Sequence, residues 1–171
     1  MADVYSTHLN ILRLMGQVVN PTAVLELGAG FYSTGLFLDR TVYPALRWLD
    51  SVELNDEWRH MVRERYPDER LTLFNGQPTR PLYSYGLVFI DDGQTLEERV
   101  RSIEFIVRAG VNVPVVIHDF ENPHYRHAAD FEWVMEYEAE TPHTAICWNG
   151  LALSEAQKEA IDAEIYLSAR G

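Results

Sequence analysis

The sequence predicts an α/β domain built on a mostly parallel sheet. Three observations lead there: short apolar runs alternate with segments of helical periodicity, the runs end in glycine or polar residues, and the alternation closes in two strand-like segments near residue 150. A chain of 171 residues is long enough for one substantial core and too short for two ordinary domains, so a single domain over 1–171 is expected.

Taken in order, Leu9, Ile11, Leu12, Met15, Val18 and Val19 recur at helical spacing until Asn20-Pro21 stops the helix. Ala23 to Leu27 is a short apolar run entering Gly28-Ala29-Gly30, which predicts a buried strand and a tight turn. Strand-like Trp48 to Leu54, helix-like Glu57 to Tyr66, and strand-like Leu71 to Phe74 and Leu87 to Ile90 follow. Thr95 and Glu98 form a capping box ahead of Leu96, Val100, Ile103 and Val107 on one helical face. Val113 to Ile117 is β-branched and predicts a central strand, and Asn122-Pro123 then starts a helix carrying Tyr125, Ala128 and Phe131. Asn149-Gly150, between Thr144 to Trp148 and Leu151 to Leu153, suits a two-residue hairpin turn, and Ser154 with Gln157 caps a last helix. Together these predict a Rossmann-like seven-stranded sheet with a C-terminal antiparallel hairpin and helices on both faces.

Charge narrows the partners. With 14 basic against 26 acidic residues and a formal net charge of −12, the chain has no basic stripe to meet a polyphosphate or an anionic membrane, and a small-molecule partner is expected. A single cysteine, Cys147, excludes an internal disulfide and fits a reducing compartment. Met1 to Val4 does not open a secretory signal, and no run reaches the roughly eighteen apolar residues of a membrane span, so a cytoplasmic protein is expected.

In open α/β sheets, ligands bind beyond the carboxyl ends of the strands. The first strand ends in Glu26-Leu27-Gly28-Ala29-Gly30, followed by Phe31, Tyr32 and Ser33, where glycines let backbone approach a ligand. The second ends in Glu53-Leu54, a carboxylate able to accept from both hydroxyls of a ribose. The third ends in Asn75-Gly76, suited to an adenine edge, the fourth in Asp91-Asp92-Gly93, and the fifth in His118-Asp119. A dinucleotide fingerprint needs its last glycine at Ser33, so that pattern fails here.

Through Glu26-x-Gly28-x-Gly30, Val52-Glu53-Leu54 and Asn75-Gly76, the chain resembles the class I S-adenosylmethionine (SAM)-dependent methyltransferases over nearly its whole length. Phe89-Ile90-Asp91-Asp92-Gly93-Gln94, followed by Val116-Ile117-His118-Asp119, resembles their small-molecule and sugar O-methyltransferases. Two positions depart from the family pattern: Tyr32 stands at the third glycine of the fullest first motif, and Gln94 where the nearest subgroup has a histidine. The resemblance implies SAM as cofactor, held by Glu26, Gly28, Gly30, Ser33, Glu53, Leu54, Asn75, Gly76 and Asp91. It implies O-methylation of a sugar or phenolic acceptor, with Asp91, His118 and Asp119 catalytic and Asp91 and Asp119 able to hold Mg2+ or Mn2+.

Blander readings stand beside these. Glu53 can be a surface carboxylate, Asp91 and Asp92 can cap their own turn, and His118 can be a hydrogen-bonded sheet-end histidine. Asp119, Glu121, His124 and His127 form a cluster better suited to helix capping than to zinc. Trp58, Trp133 and Trp148 are expected in the core. Rival functions are a non-catalytic SAM- or nucleoside-binding module and an aminopropyltransferase-like enzyme.

Overall fold

A computed structural model describes residues 6–93 and 95–168. Met1 to Val4 and Gln94, which figured in the sequence reading, lie outside the described residues. The order of elements is α1 (Leu9–Val18), β1 (Ala23–Leu27), α2 (Ser33–Leu38), β2 (Trp48–Val52), α3 (Asp56–Arg65), β3 (Leu71–Phe74), β4 (Leu87–Ile90), α4 (Leu96–Arg108), β5 (Val115–His118), α5 (Pro123–Ala128), β6 (Trp133–Tyr137), β7 (Thr144–Trp148) and α6 (Glu155–Ser168).

The seven strands lie in the order β3-β2-β1-β4-β5-β7-β6. β1 to β5 pair in parallel, while β7 runs antiparallel to both β5 and β6. Strand order reverses between β1 and β4, which makes the gap beyond their carboxyl ends the expected ligand crevice.

Period-two alternation sends the strand side chains to two cores. Val24, Leu49, Leu87, Phe89, Val116 and Ile146 pack with Leu12 and Met15 of α1, Phe37 of α2 and Ile161 of α6. Leu25, Val88, Ile90, Val115, Ile117 and Cys147 pack instead with Ile103 and Ile106 of α4 and with Tyr125 of α5. Fully buried central strands explain the apolar runs, interrupted only by Glu26 in β1 and His118 at the end of β5. Thr95 and Glu98 form the expected reciprocal capping box on α4. At the end of α1, Asn20 takes a left-handed conformation with φ 48°, a common way to end a helix.

Three expectations change. The hairpin joins β6 to β7, and Leu151–Leu153 form no strand. Asn149-Gly150 instead turns the chain toward α6, with the Asn149 side chain accepting from Glu132 N at 2.8 Å and Gly150 N donating to Glu132 Oε2 at 2.8 Å. The helix after Asn122 ends at Ala128, so Phe131 lies beyond it. Trp148 is core, but Trp133 on edge strand β6 is 49% exposed, stacked on Trp148. Among the described residues, no helix is long and apolar enough to cross a membrane.

Candidate functional site

The site begins with two backbone contacts. Leu27 O accepts from Asp91 N at 2.8 Å, and Gly28 N donates to Val52 O at 2.9 Å, which draws the ends of β1, β2 and β4 together. Gly28 has φ +92°, and a Cβ placed there would lie 2.4 Å from the Asp91 carbonyl oxygen. Only glycine meets both demands, so the turn closes without strain and its backbone borders a cleft of about 1170 Å³.

Gly28, Gly30 and Ser33 line that cleft from the glycine turn, Glu53 and Leu54 from the end of β2, Gly76 from the end of β3 and Asp91 from the end of β4. Two predicted ligand residues do not line it: Glu26 lies beneath the turn with no exposed surface, and Asn75 is an exposed residue outside the lining. Glu26 acts on the turn from below. Gly30 N donates to Thr34 Oγ1 at 3.1 Å, and Thr34 Oγ1 donates to Glu26 Oε2 at 2.8 Å. The Ser51 hydroxyl also donates to Oε2. Burial pushes the Glu26 carboxyl up to about 7, against the lowering effect of the hydroxyls of Ser33, Ser51 and Thr34.

Glu53 is half-buried, and its Oε1 accepts from Asn55 N at 2.7 Å, which aims the carboxylate along the cleft wall. Burial raises its carboxyl, opposed by the Asn55 amide and the charge of Arg59. Trp58, expected in the core, belongs to the cleft wall, with Nε1 donating to Ala29 O at 2.6 Å and its ring packed at 4.6 Å from Phe31. Asp92 also lines the cleft. Its Oδ1 is buried without a hydrogen-bond partner among the described residues, Ser102 donates to its other oxygen, and burial lifts its carboxyl to about 6.

The three residues predicted to be catalytic come together as one network, yet only Asp91 faces the cleft. His118 sits behind it, with Nδ1 3.1 Å from Asp91 Oδ1 and Nε2 2.9 Å from Thr7 Oγ1. Burial alone would lower His118, but the hydrogen bond to Asp91 and the charges of Asp91 and Asp119 raise it above the ordinary histidine range. Asp91 is correspondingly held low: burial would raise it, and the bond and charge of His118 with the charge of Arg99 outweigh that. Asp119 closes the end of β5 with φ 57°, a conformation that aspartate tolerates.

Sequence reasoning missed three residues here. Thr34 is the relay just described. His8, just before α1, lines the cleft, is 2% exposed, and has no hydrogen-bond partner for either ring nitrogen among the described residues. Its ring lies 4.8 Å from that of His118, and burial lowers it to about 4 despite the nearby Asp91 charge. Arg99 is the third. Its Nη2 meets Asp91 Oδ1 at 2.9 Å, its Nη1 meets Asp119 Oδ2 at 2.5 Å, and its Nε donates to Asp92 O at 2.6 Å. The guanidinium thus lies between the two carboxylates expected to hold a divalent metal. Unit charges 4 Å apart at an effective dielectric of 20 interact by about 4 kcal/mol, and a divalent ion beside Arg99 would double that as repulsion. These residues do not fit a metal.

No family model matches the sequence, and no curated protein matches it. Solved structures do. Human methyltransferase-like protein 13 in complex with SAH superposes with a TM-score of 0.63 at 15% identity, covering 100% of this chain and 94% of that one. The O-methyltransferase from Bacillus cereus in complex with SAH gives 0.63 at 13% identity, covering 86% and 83%. A SAH-bound methyltransferase from Podospora anserina gives 0.56 at 12%, covering 88% and 89%. The chain has the class I methyltransferase fold. Within the methyltransferase fold, the cleft described above occupies the crevice beyond β1 and β4, at the reversal of strand order.

Proposed function

We propose that this protein is a SAM-dependent methyltransferase that methylates an oxygen of a small molecule. The observation that carries the reading is the cleft itself: a glycine turn that no other residue can form at position 28, facing the Glu53 carboxylate across one continuous cavity. SAM carries no phosphate, so the turn needs to admit only a methionine chain, while Glu53 accepts from the ribose hydroxyls. Gly76 borders the cavity on the adenine side. The solved neighbours that carry SAH support the same choice of cofactor.

When bound, SAM supplies an electrophilic methyl group. The chain must then hold an acceptor hydroxyl in line and take its proton. Asp91 faces the acceptor, fixed by His118 and Arg99, with Asp119 completing the network from behind. His8 is assigned the proton, because it lines the cleft beside Asp91 and neither ring nitrogen has a hydrogen-bond partner among the described residues. The expected partner is a small molecule in the cytoplasm, with neither nucleic acid nor membrane involved, in keeping with a net charge of −12.

Calorimetric titration with SAM and SAH, with Glu53→Ala as control, tests the cofactor. Wild-type binding that weakens by about 100-fold or more in the variant is expected, from loss of two hydrogen bonds to a charged group. Absence of wild-type binding to both ligands would sink the reading. Methylated product in an acceptor screen would dismiss the non-catalytic module, and transfer of the methyl group would dismiss the aminopropyl reading.

A further inference from the structure

We propose that Arg99 is the resident cation of this site, standing between Asp91 and Asp119 in place of a divalent metal, so that the site works without one. Three N–H groups of one guanidinium reach three oxygens at the ends of β4 and β5: Asp91 Oδ1 at 2.9 Å, Asp119 Oδ2 at 2.5 Å and the Asp92 carbonyl at 2.6 Å. The Arg99 side chain is 9% exposed, with the face of Tyr125 5.3 Å from its central carbon. This is a planar, multiply hydrogen-bonded seat for a guanidinium.

The position on the helix is the second argument. Arg99 falls at the start of α4, just after Thr95, Glu97 and Glu98. Unpaired amides there favour anions and disfavour cations, so helix formation alone does not place a buried arginine at this point. The carboxylates of Asp91 and Asp119 do.

Occupancy of the ligand oxygens is the third. His118 Nδ1 lies 3.1 Å from the Asp91 oxygen that Arg99 also meets, so that oxygen is already engaged by two groups of the chain itself. The strongest competing site is the trio His8, Asp91 and His118, whose potential ligand atoms lie within 4.8 Å of one another. There, however, Asp91 Oδ1 is shared by Arg99 and His118, and His118 Nε2 is taken by Thr7. That leaves the His8 nitrogens, free of partners among the described residues, and the second Asp91 oxygen, and two ligands do not make a site. The consequence for chemistry rests on the methyl-transfer reading: with no metal to acidify the acceptor hydroxyl, proton removal falls to His8. The cation assignment does not depend on that reading.

The test titrates the full chain with Mn2+ alone, read by the electron paramagnetic resonance of free Mn2+. Wild type and Asp91→Asn are expected to give the same weak, millimolar association from exposed acids. Arg99→Gln, which frees both carboxylates, is expected to bind Mn2+ at least about tenfold more tightly, and Asp119→Asn added to it is expected to reverse the gain. Micromolar binding by the wild type that Asp91→Asn removes would overturn the proposal, and so would a folded Arg99→Gln without the gain. The wild-type comparison decides the matter even if Arg99→Gln fails to fold. Loss of the SAM reading in the calorimetric titration would leave these results standing.

Discussion

Glu26 offers the sharpest test of how this turn is held. Its carboxyl is fully buried, and burial lifts it from 4.5 to about 7. Between those values the folded protein keeps a proton that the unfolded chain has lost, so stability falls as pH rises through this window and levels off above it. At about 1.4 kcal/mol per pH unit, the penalty reaches about 3 kcal/mol at pH 8 and is about 1 kcal/mol at pH 5. Glutamine has nearly the same shape, keeps an oxygen for the hydroxyls of Thr34 and Ser51, and never ionises. Glu26→Gln is therefore expected to be more stable than wild type by about 3 kcal/mol at pH 8 and by only about 1 kcal/mol at pH 5. Urea denaturation followed by tryptophan fluorescence at the two pH values measures the difference. A variant less stable than wild type at pH 8, or equally shifted at both values, would show that the carboxylate is not held at the expense of its charge.

Two further substitutions bear on the site. Gly28→Ala must place a Cβ 2.4 Å from the Asp91 carbonyl at φ +92°, so a loss of about 3 kcal/mol in denaturant stability, with SAH binding abolished, is expected. His8→Phe keeps the ring packing against Phe89 and His118 but has no nitrogen. Calorimetry should find SAH affinity unchanged while methyl transfer in the acceptor screen drops by about 10²- to 10⁴-fold; unchanged turnover would remove His8 from the reaction.

Much of this architecture could be read along the chain because its causes are local. Ala23–Leu27 is apolar except at Glu26 since β1 is covered on both faces, and Thr95 with Glu98 announced the start of α4 through a contact only three residues long. Where local chemistry was ambiguous, the sequence misled. Asn149-Gly150 has hairpin chemistry, yet its partner is Glu132, seventeen and eighteen residues away, and the strand that pairs with β7 in the hairpin is β6, Trp133–Tyr137. Trp58 read as core because aromatic residues usually are, but its ring nitrogen bonds the glycine turn at Ala29.

At the site the division is physical. The glycines, Glu53 and the acidic strand ends were visible because close backbone approach and ribose recognition restrict residue type at fixed places after a strand. Arg99, Thr7 and His8 carried no such mark. Arg99 meets Asp119 across 20 residues, Thr7 meets His118 across 111, and His8 becomes significant only because folding buries it against His118 at the mouth of β5. By itself the sequence determined the five parallel strands and the glycine and polar residues at their ends, since hydrophobic period and turn chemistry are properties of neighbouring residues. Only the tertiary structure decided that Asp91 and Asp119 hold a guanidinium and that Glu26 supports the turn from below, because both outcomes depend on which charges are buried together.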